Sequence, residues 1–330
     1  MTEPRKIWCC DWGSSTFRLL LVDLSSARVI ARDQTGQGIA QTFARWKEPE
    51  NTAIEREAFY LAYIQDRMRS MEEQLGMSLP PIPLMLSGMA SSSVGMRELP
   101  YVPLPFAISG KDLKVQHLRP SPPIGRDIFL VSGVKSNQTD EVMRGEETLV
   151  VGSAPTDPSG PDGWLILPGT HSKHIRVSEG RATELKTFMT GEFFHLLLNH
   201  SMLRFSVAQN NDFSQPQMQS FFKRGVLKGL QGNLLHNSFS VRTNDLFDHC
   251  SPEENYHFLS GLLIGSELHT FCKDPATLTL VCGPTLHPMY ITAFQLINAA
   301  GGRLSFRYLS AEEALIRGQI NLYTRLKQNT

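Results

Sequence analysis

"KIWCCDWGSSTFRLLLVDL", residues 6–24, is the stretch on which the fold is read. A short apolar run, Ile7 to Cys10, ends in Asp11. A turn of small residues follows, Gly13-Ser14-Ser15-Thr16. A second apolar run, Phe17 to Val22, ends in Asp23. Short apolar runs bounded by turn residues read as buried strands, and a third run at 28–34 completes an antiparallel meander. A hairpin turn of Gly, Ser and Thr gathers backbone N–H groups and hydroxyls at one point, a concave donor cluster suited to phosphate oxygens. Asp11, at the strand end beneath it, could hold Mg²⁺ directly or through water, since magnesium takes carboxylates, waters and substrate phosphates. On local grounds a plain hairpin with a capping aspartate fits equally well.

Composition narrows the class. A chain of 330 residues suggests about two domains, and 41% hydrophobic residues are enough for real cores. Lys+Arg and Asp+Glu are equal at 32 each, so nothing in the charge points to nucleic acid or an anionic membrane. Five scattered cysteines without zinc-type spacing read as reduced, small hydrophobes. No signal-type apolar core opens the chain, and no run approaches the roughly 18 apolar residues of a membrane span. A cytoplasmic protein is expected.

Along the chain, a helix is predicted over 53–75, with Thr52 and Glu55 as a capping box. A strand at 83–87 runs into Gly88-Met89-Ala90-Ser91-Ser92-Ser93. The Pro-rich stretch 100–125, including Pro120-Ser121-Pro122-Pro123, reads as a domain junction. This gives an N-terminal lobe over 1–125, joined by the C-terminal helix 310–330, and a C-terminal lobe over 126–309. Strands are predicted at 128–132, at 164–167 after a Gly/Pro-rich turn (155–163), and at 175–177. Helices are predicted at 190–203, at 215–228 behind a Ser214…Gln217 box, and at 252–271 capped by Ser251 with Glu254 reaching back. Strand 278–282, helix 286–299, strand 304–308 and helix 311–327 follow. Both halves share one plan: strands with a polar hairpin turn first, helices after.

The second turn, Gly169-Thr170-His171-Ser172-Lys173, repeats the grammar of the first, with hydroxyl and cationic groups where anions would sit. Neither turn is a P-loop, and no G-x-G-x-x-G follows a strand. Two such turns, one per lobe, are expected to face each other across a cleft and grip a polyphosphate. Gly283-Pro284-Thr285, between a strand and a helix, is where adenine and ribose are placed, because ligands sit at the carboxyl ends of sheet strands, although on local grounds alone an ordinary strand–helix connection fits better. The run 140–148, DEVMRGEET, reads by default as a solvated helix face. Phosphoryl transfer to a hydroxyl also needs a carboxylate near the acceptor and cations to balance charge, and Glu146 and Arg144 fit those needs. Arg18 could touch phosphate or form a structural ion pair.

The segments DWGSSTFR (11–18), SGMASSSVG (87–95), VMRGEETLVVG (142–152), LPGTHSKHI (167–175), FMTGEFFHLLLNHSML (188–203) and FLSGLLIGSEL (258–268) together resemble the 2-dehydro-3-deoxygalactonokinase family of the sugar kinase/heat-shock-70/actin superfamily. The resemblance implies an α/β fold of two actin-like ATPase (ribonuclease H-like) lobes, each a mixed sheet flanked by helices, with a cleft between. It implies an ATP- and Mg²⁺-dependent kinase for the 6-hydroxyl of 2-dehydro-3-deoxy-D-galactonate, with a homodimer among the expected states. By position, Asp11, Gly13, Ser14 and Ser15 form the first phosphate turn, with Asp11 at the metal. Gly169, Thr170, His171 and Lys173 form the second, and Gly283 and Thr285 line the nucleotide pocket. Glu146 is the expected base, with Glu147 or Asp140 as alternatives. Gly88, Met89, Ser91, Ser92, Ser93 and Thr190 contact the sugar, and Arg144 assists. Phe17 stands where the family has a polar residue close to the cleft, and His174 where it has a tryptophan. A kinase for a related keto-deoxy acid, or a non-catalytic sugar-acid sensor on the same fold, are the alternatives weighed.

Overall fold

The computed structural model describes residues 5–119, 125–154 and 162–328. In chain order the strands are β1 (Lys6–Trp12), β2 (Phe17–Asp23), β3 (Val29–Thr35), β4 (Leu84–Gly88), β5 (Val102–Pro103), β6 (Phe106–Ala107), β7 (Val115–Leu118), β8 (Ile128–Val131), β9 (Val134–Lys135), β10 (Val142–Met143), β11 (Gly163–Leu167), β12 (Ser172–Ser178), β13 (Arg181–Phe188), β14 (Ala276–Cys282) and β15 (Leu304–Ser310). The helices are α1 (Ile39–Trp46), α2 (Arg56–Gln74), α3 (Glu146–Ser153), α4 (Thr190–His200), α5 (Pro216–Gly229), α6 (Leu234–Ser238), α7 (Ser240–Phe247), α8 (Pro252–Leu268), α9 (His287–Ala299) and α10 (Ala311–Gln328). None is long and apolar enough to cross a membrane. Two compact units result. The first takes Met1–Gly160, Val177–Leu185 and Ala311–Thr330; the second takes Pro161–Arg176 and Lys186–Ser310.

The first unit is organised by a sheet of order β3-β2-β1-β4-β8-β7. Strands β1, β2 and β3 form the antiparallel meander, while β4 and β8 run parallel to β1. This order, three antiparallel strands and then parallel ones, is that of ribonuclease H-like domains. Strand β1 is buried on both faces, which is why its sequence reads as a continuous apolar run rather than an alternation. One face carries Trp8, Cys10 and Trp12, packed with Leu19, Leu21 and the α2 residues Tyr60, Ile64 and Met68. Phe17 belongs to that core: it is fully buried, edge-on to Trp12 with ring centroids 5.0 Å apart, so the aromatic ring stabilises the meander instead of lining a cleft.

Helices α3 and α10 also cross closely in this unit. A β-carbon at Gly152 would collide with the Ala314 carbonyl, and one at Gly318 with the Thr148 carbonyl. Glycine at both positions is therefore a requirement of backbone approach. The approach fixes α3, which carries the paired glutamates.

The second unit repeats part of that order. β15, β14, β11 and β12 are neighbours in that sequence, with β11, β14 and β15 parallel. Its core joins Ile166, Leu278 and Leu280 of the sheet to Phe222 and Val226 of α5, Ile264 of α8 and Tyr290 and Phe294 of α9.

Several sequence expectations need correction. The boundary at 125 falls inside the first unit, because β8 pairs with β4; residues 120–124 of the expected junction, and 155–161 of the expected turn, lie outside the described residues. The helix expected from 53 begins at Arg56 without a side-chain cap, since the Thr52 hydroxyl donates to Pro49 O instead. The Ser214 hydroxyl likewise goes to Asp212, not to a cap of α5. Helices α1, α6 and α7 and strand β13 were not expected. The Ser251–Glu254 capping box of α8 is formed as read.

Replacing Gly318 by Ala is expected to cost about 3 kcal/mol or more through forced separation of α3 and α10. Ser251→Ala is expected to cost only about 1 kcal/mol. Thermal melts of both variants followed by circular dichroism check this, and a Gly318→Ala midpoint equal to the wild-type value would contradict the crossing.

Candidate active site

Asp11 is the penultimate residue of β1, opposite Arg18 on β2 and Ser87 on β4. These are the carboxyl ends of two adjacent parallel strands, where open α/β sheets bind ligands. The Arg18 guanidinium lies 3.5 Å from the Asp11 carboxylate. Removal from solvent raises the Asp11 pKa, Arg18 opposes that, and the nearby Glu146 carboxylate adds to the rise.

Helix α1 holds the turn that follows. The Ile39 and Ala40 N–H groups donate to Gly13 O (2.9 Å) and Ser14 O (3.1 Å), and Gly13 N–H donates to Thr16 O (2.8 Å). Gly38 permits this contact, since a β-carbon there would strike the Ser14 carbonyl. Ser14 and Ser15 remain exposed. This support was invisible in the sequence, because the partners are 26 residues apart and the helix has no side-chain cap.

Two glycines then bring α3 to Asp11. Gly88 (φ +88°) and Gly145 (φ +114°) both adopt backbone that side chains rarely take. A β-carbon on Gly145 would lie 3.1 Å from Gly88 Cα, and one on Gly88 would lie 2.6 Å from Trp12 O and 3.1 Å from Asp11 Oδ1. The run 140–148 is thus no solvated helix face. Its middle is β10, and the helix begins only at Glu146. Both glutamates occupy the first turn of α3, where the helix dipole favours carboxylates.

Their environments differ. Glu146 Oε2 accepts the Arg144 N–H at 2.9 Å. Glu147 is fully buried and accepts the Gly145 N–H with both oxygens, at 2.9 and 2.7 Å. Burial, then the Glu146 charge, push its pKa up to about 8. Arg144 is 9% exposed. It donates to Ser91 O (2.5 Å), Ser91 Oγ (2.7 Å) and Leu99 O (3.2 Å), and it stacks on Tyr101. Its charge is committed to the 88–93 loop, in which Ser91 and Ser92 are buried and Ser93 is exposed. The Ser92 hydroxyl donates to Met89 O at 2.7 Å. Asp140 is exposed, outside this cluster.

In the second unit, β11 delivers Gly169, Thr170 and His171 to the surface, while Ser172 and Lys173 are buried. Ser172 Oγ accepts the Gly169 N–H (3.3 Å), and Lys173 Nζ donates to His171 O (3.2 Å). The first turn of α4 backs this loop. Glu192 N–H donates to Thr170 O (3.0 Å), the Glu192 carboxylate meets His171 Nε2 (2.5 Å), and Gly191 abuts Gly169 O. Gly283 and Thr285 are exposed at the carboxyl end of β14, the parallel neighbour of β11. Thr190 turns its hydroxyl onto Glu267 instead of outward.

Among the described residues no group of three or more His, Cys, Asp and Glu could hold a metal ion. A magnesium site needs only one or two carboxylates, the rest being water and phosphate. Asp11, a carboxylate at the carboxyl end of β1, is such a donor, so the residues present fit that metal.

The chain belongs with the carbohydrate kinases. Residues 11–322 match the family described as 2-keto-3-deoxy-galactonokinase, and the chain belongs to that family. It is 31% identical to the 2-dehydro-3-deoxygalactonokinase of Escherichia coli (strain K12), over 68% of this chain and 76% of that one. It is 28% identical to a probable 2-dehydro-3-deoxygalactonokinase of Rhizobium meliloti (strain 1021), over 96% of each. A crystal structure of a Sinorhizobium meliloti protein provisionally given the same designation superposes with a TM-score of 0.75 at 25% identity, covering 98% of this chain and 96% of that one.

The Glu147 shift has a defined sign. The fold holds its proton up to about pH 8, whereas the unfolded chain releases it near 4.5. The associated stability is present below the lower value and is lost as pH rises through the upper one. Wild-type thermal stability should therefore fall relative to Glu147→Gln between about pH 5 and about pH 8. Parallel melting curves for the two proteins would show an ordinary carboxyl.

Proposed function

We propose that this chain transfers the γ-phosphoryl group of ATP to the 6-hydroxyl of 2-dehydro-3-deoxy-D-galactonate, with Mg²⁺ as its metal. The observation that carries the reading is the convergence of Asp11, Gly88, Gly145 and Glu146 at the carboxyl end of β1 in a member of this family. Free cysteines suit a reducing cytoplasm.

Glu146 is the base. It takes the proton of the 6-hydroxyl as the oxygen bonds to the γ-phosphorus and the bond to the β–γ bridging oxygen breaks, releasing ADP. Two facts support Glu146 over its alternatives: Glu147 is buried with both oxygens on the Gly145 amide, and Asp140 is exposed outside the cluster. Arg144 is a positioning group for the sugar loop, holding Ser91 and Leu99 from beneath. The exposed Ser93 and the backbone of residues 88–93 receive the sugar acid. The first turn and the second, with Gly169, Thr170 and the buried Lys173, receive phosphate oxygens, and Gly283 and Thr285 receive the nucleoside. Asp11 would hold Mg²⁺, which would supply charge neutralisation for the transferring phosphate. Most of the catalysis is then positioning and charge balance.

ADP release measured over a panel of 2-keto-3-deoxy sugar acids tests the reading. ATP consumption should depend strongly on 2-dehydro-3-deoxy-D-galactonate. Glu146→Gln should keep nucleotide binding and lose roughly 10²–10⁴-fold in kcat. Normal turnover by that variant would remove Glu146 from the mechanism, and sugar-independent hydrolysis would favour an ATPase.

A further inference from the structure

Glu267, on α8, is a buried carboxylate with 1% side-chain exposure that the mechanism above does not use. Both of its oxygens have partners. Oε1 meets His174 Nε2 at 2.9 Å. Oε2 accepts the Thr190 hydroxyl at 2.5 Å and the Tyr290 hydroxyl at 2.9 Å. Tyr290 OH lies 3.5 Å from Ser172 Oγ, which itself accepts the Gly169 N–H. One side chain thus reaches the second turn along two routes, through His174 on β12 and through Tyr290 and Ser172, and reaches the first residue of α4 through Thr190.

Stability alone is a weak reason for such a cluster. Burying a carboxylate is costly, and replacing a buried ionic network with well-packed apolar groups is often neutral or stabilising. The cluster also leaves His174 Nδ1 buried without a partner, while Phe188 and Phe271 flank the ring. What the arrangement does supply is geometry. Three elements that are distant in sequence are referred to one pair of oxygens, and rigid supporting contacts are what hold a binding turn in productive geometry.

We propose that Glu267 is a positioning residue that locks the second turn and the start of α4 in one frame, so that the turn receives nucleotide phosphates without rearranging. This rests on the reading of residues 169–173 as a phosphate turn. The test is calorimetric binding of a non-hydrolysable ATP analogue with Mg²⁺, together with steady-state kinetics, on variants whose fold is verified by circular dichroism. Glu267→Gln should raise the analogue Kd at least tenfold and lower kcat/KM for ATP by a similar factor while remaining folded at the assay temperature. Tyr290→Phe, which removes one hydroxyl and keeps the carboxylate, should shift both in the same direction by less, and it carries the test if Glu267→Gln does not fold. Analogue binding within twofold of wild type in the folded variants overturns the proposal. Gly169→Val separates the two levels, since a β-carbon there meets nothing within 4 Å and the fold should tolerate it. If that variant loses the analogue while Glu267→Gln keeps it, the turn holds the nucleotide and Glu267 does not position it. If Gly169→Val binds normally, the phosphate-turn reading fails and the proposal falls with it.

Discussion

Gly88 and Gly145 meet backbone to backbone beside the Asp11 carboxylate, and the first unit's chemistry depends on that approach. Each lies at positive φ, and each would drive a β-carbon into its neighbour. Their contact brings the amino terminus of α3 to the end of β1. It sets one glutamate near Asp11 and folds the other beneath the chain, on the Gly145 amide. Two adjacent residues of the same type thereby acquire different environments, which sequence alone could not distinguish.

Part of one strand order appears in both units, with the first strand of each delivering a turn at its carboxyl end. The turns are supported differently. In the first unit, carbonyls of the turn cap α1, and a third glycine, Gly38, permits the contact. In the second, a buried carboxylate on α8 and the first turn of α4 do the work. A repeated scaffold has been fitted with two unlike local solutions.

Much of this was legible in the residues, and the failures share a cause. The meander, both turns and the Ser251–Glu254 box are local features with short-range signatures, so they could be read. Helix α1 could not, because its amino end is completed by carbonyls 26 residues earlier in the chain. Phe17 looked like a departure at the cleft edge until its ring was found against Trp12 and Tyr63. The charge run 140–148 looked solvated because its composition is, yet Glu147 and Arg144 are buried by contacts with Gly145 and Ser91. Thr52 and Ser214 had the right spacing for caps but spend their hydroxyls on nearer acceptors. Tertiary partners overrode the local pattern at α1 and Phe17, and nearer local acceptors did so at Thr52 and Ser214.

The way α1 grips the first turn has one more consequence. The carbonyl oxygens of Gly13, Ser14 and Thr16 are all occupied by N–H groups of the protein itself. Those three acceptors are therefore turned inward, and the hydroxyls of Ser14 and Ser15 are what the loop shows to solvent.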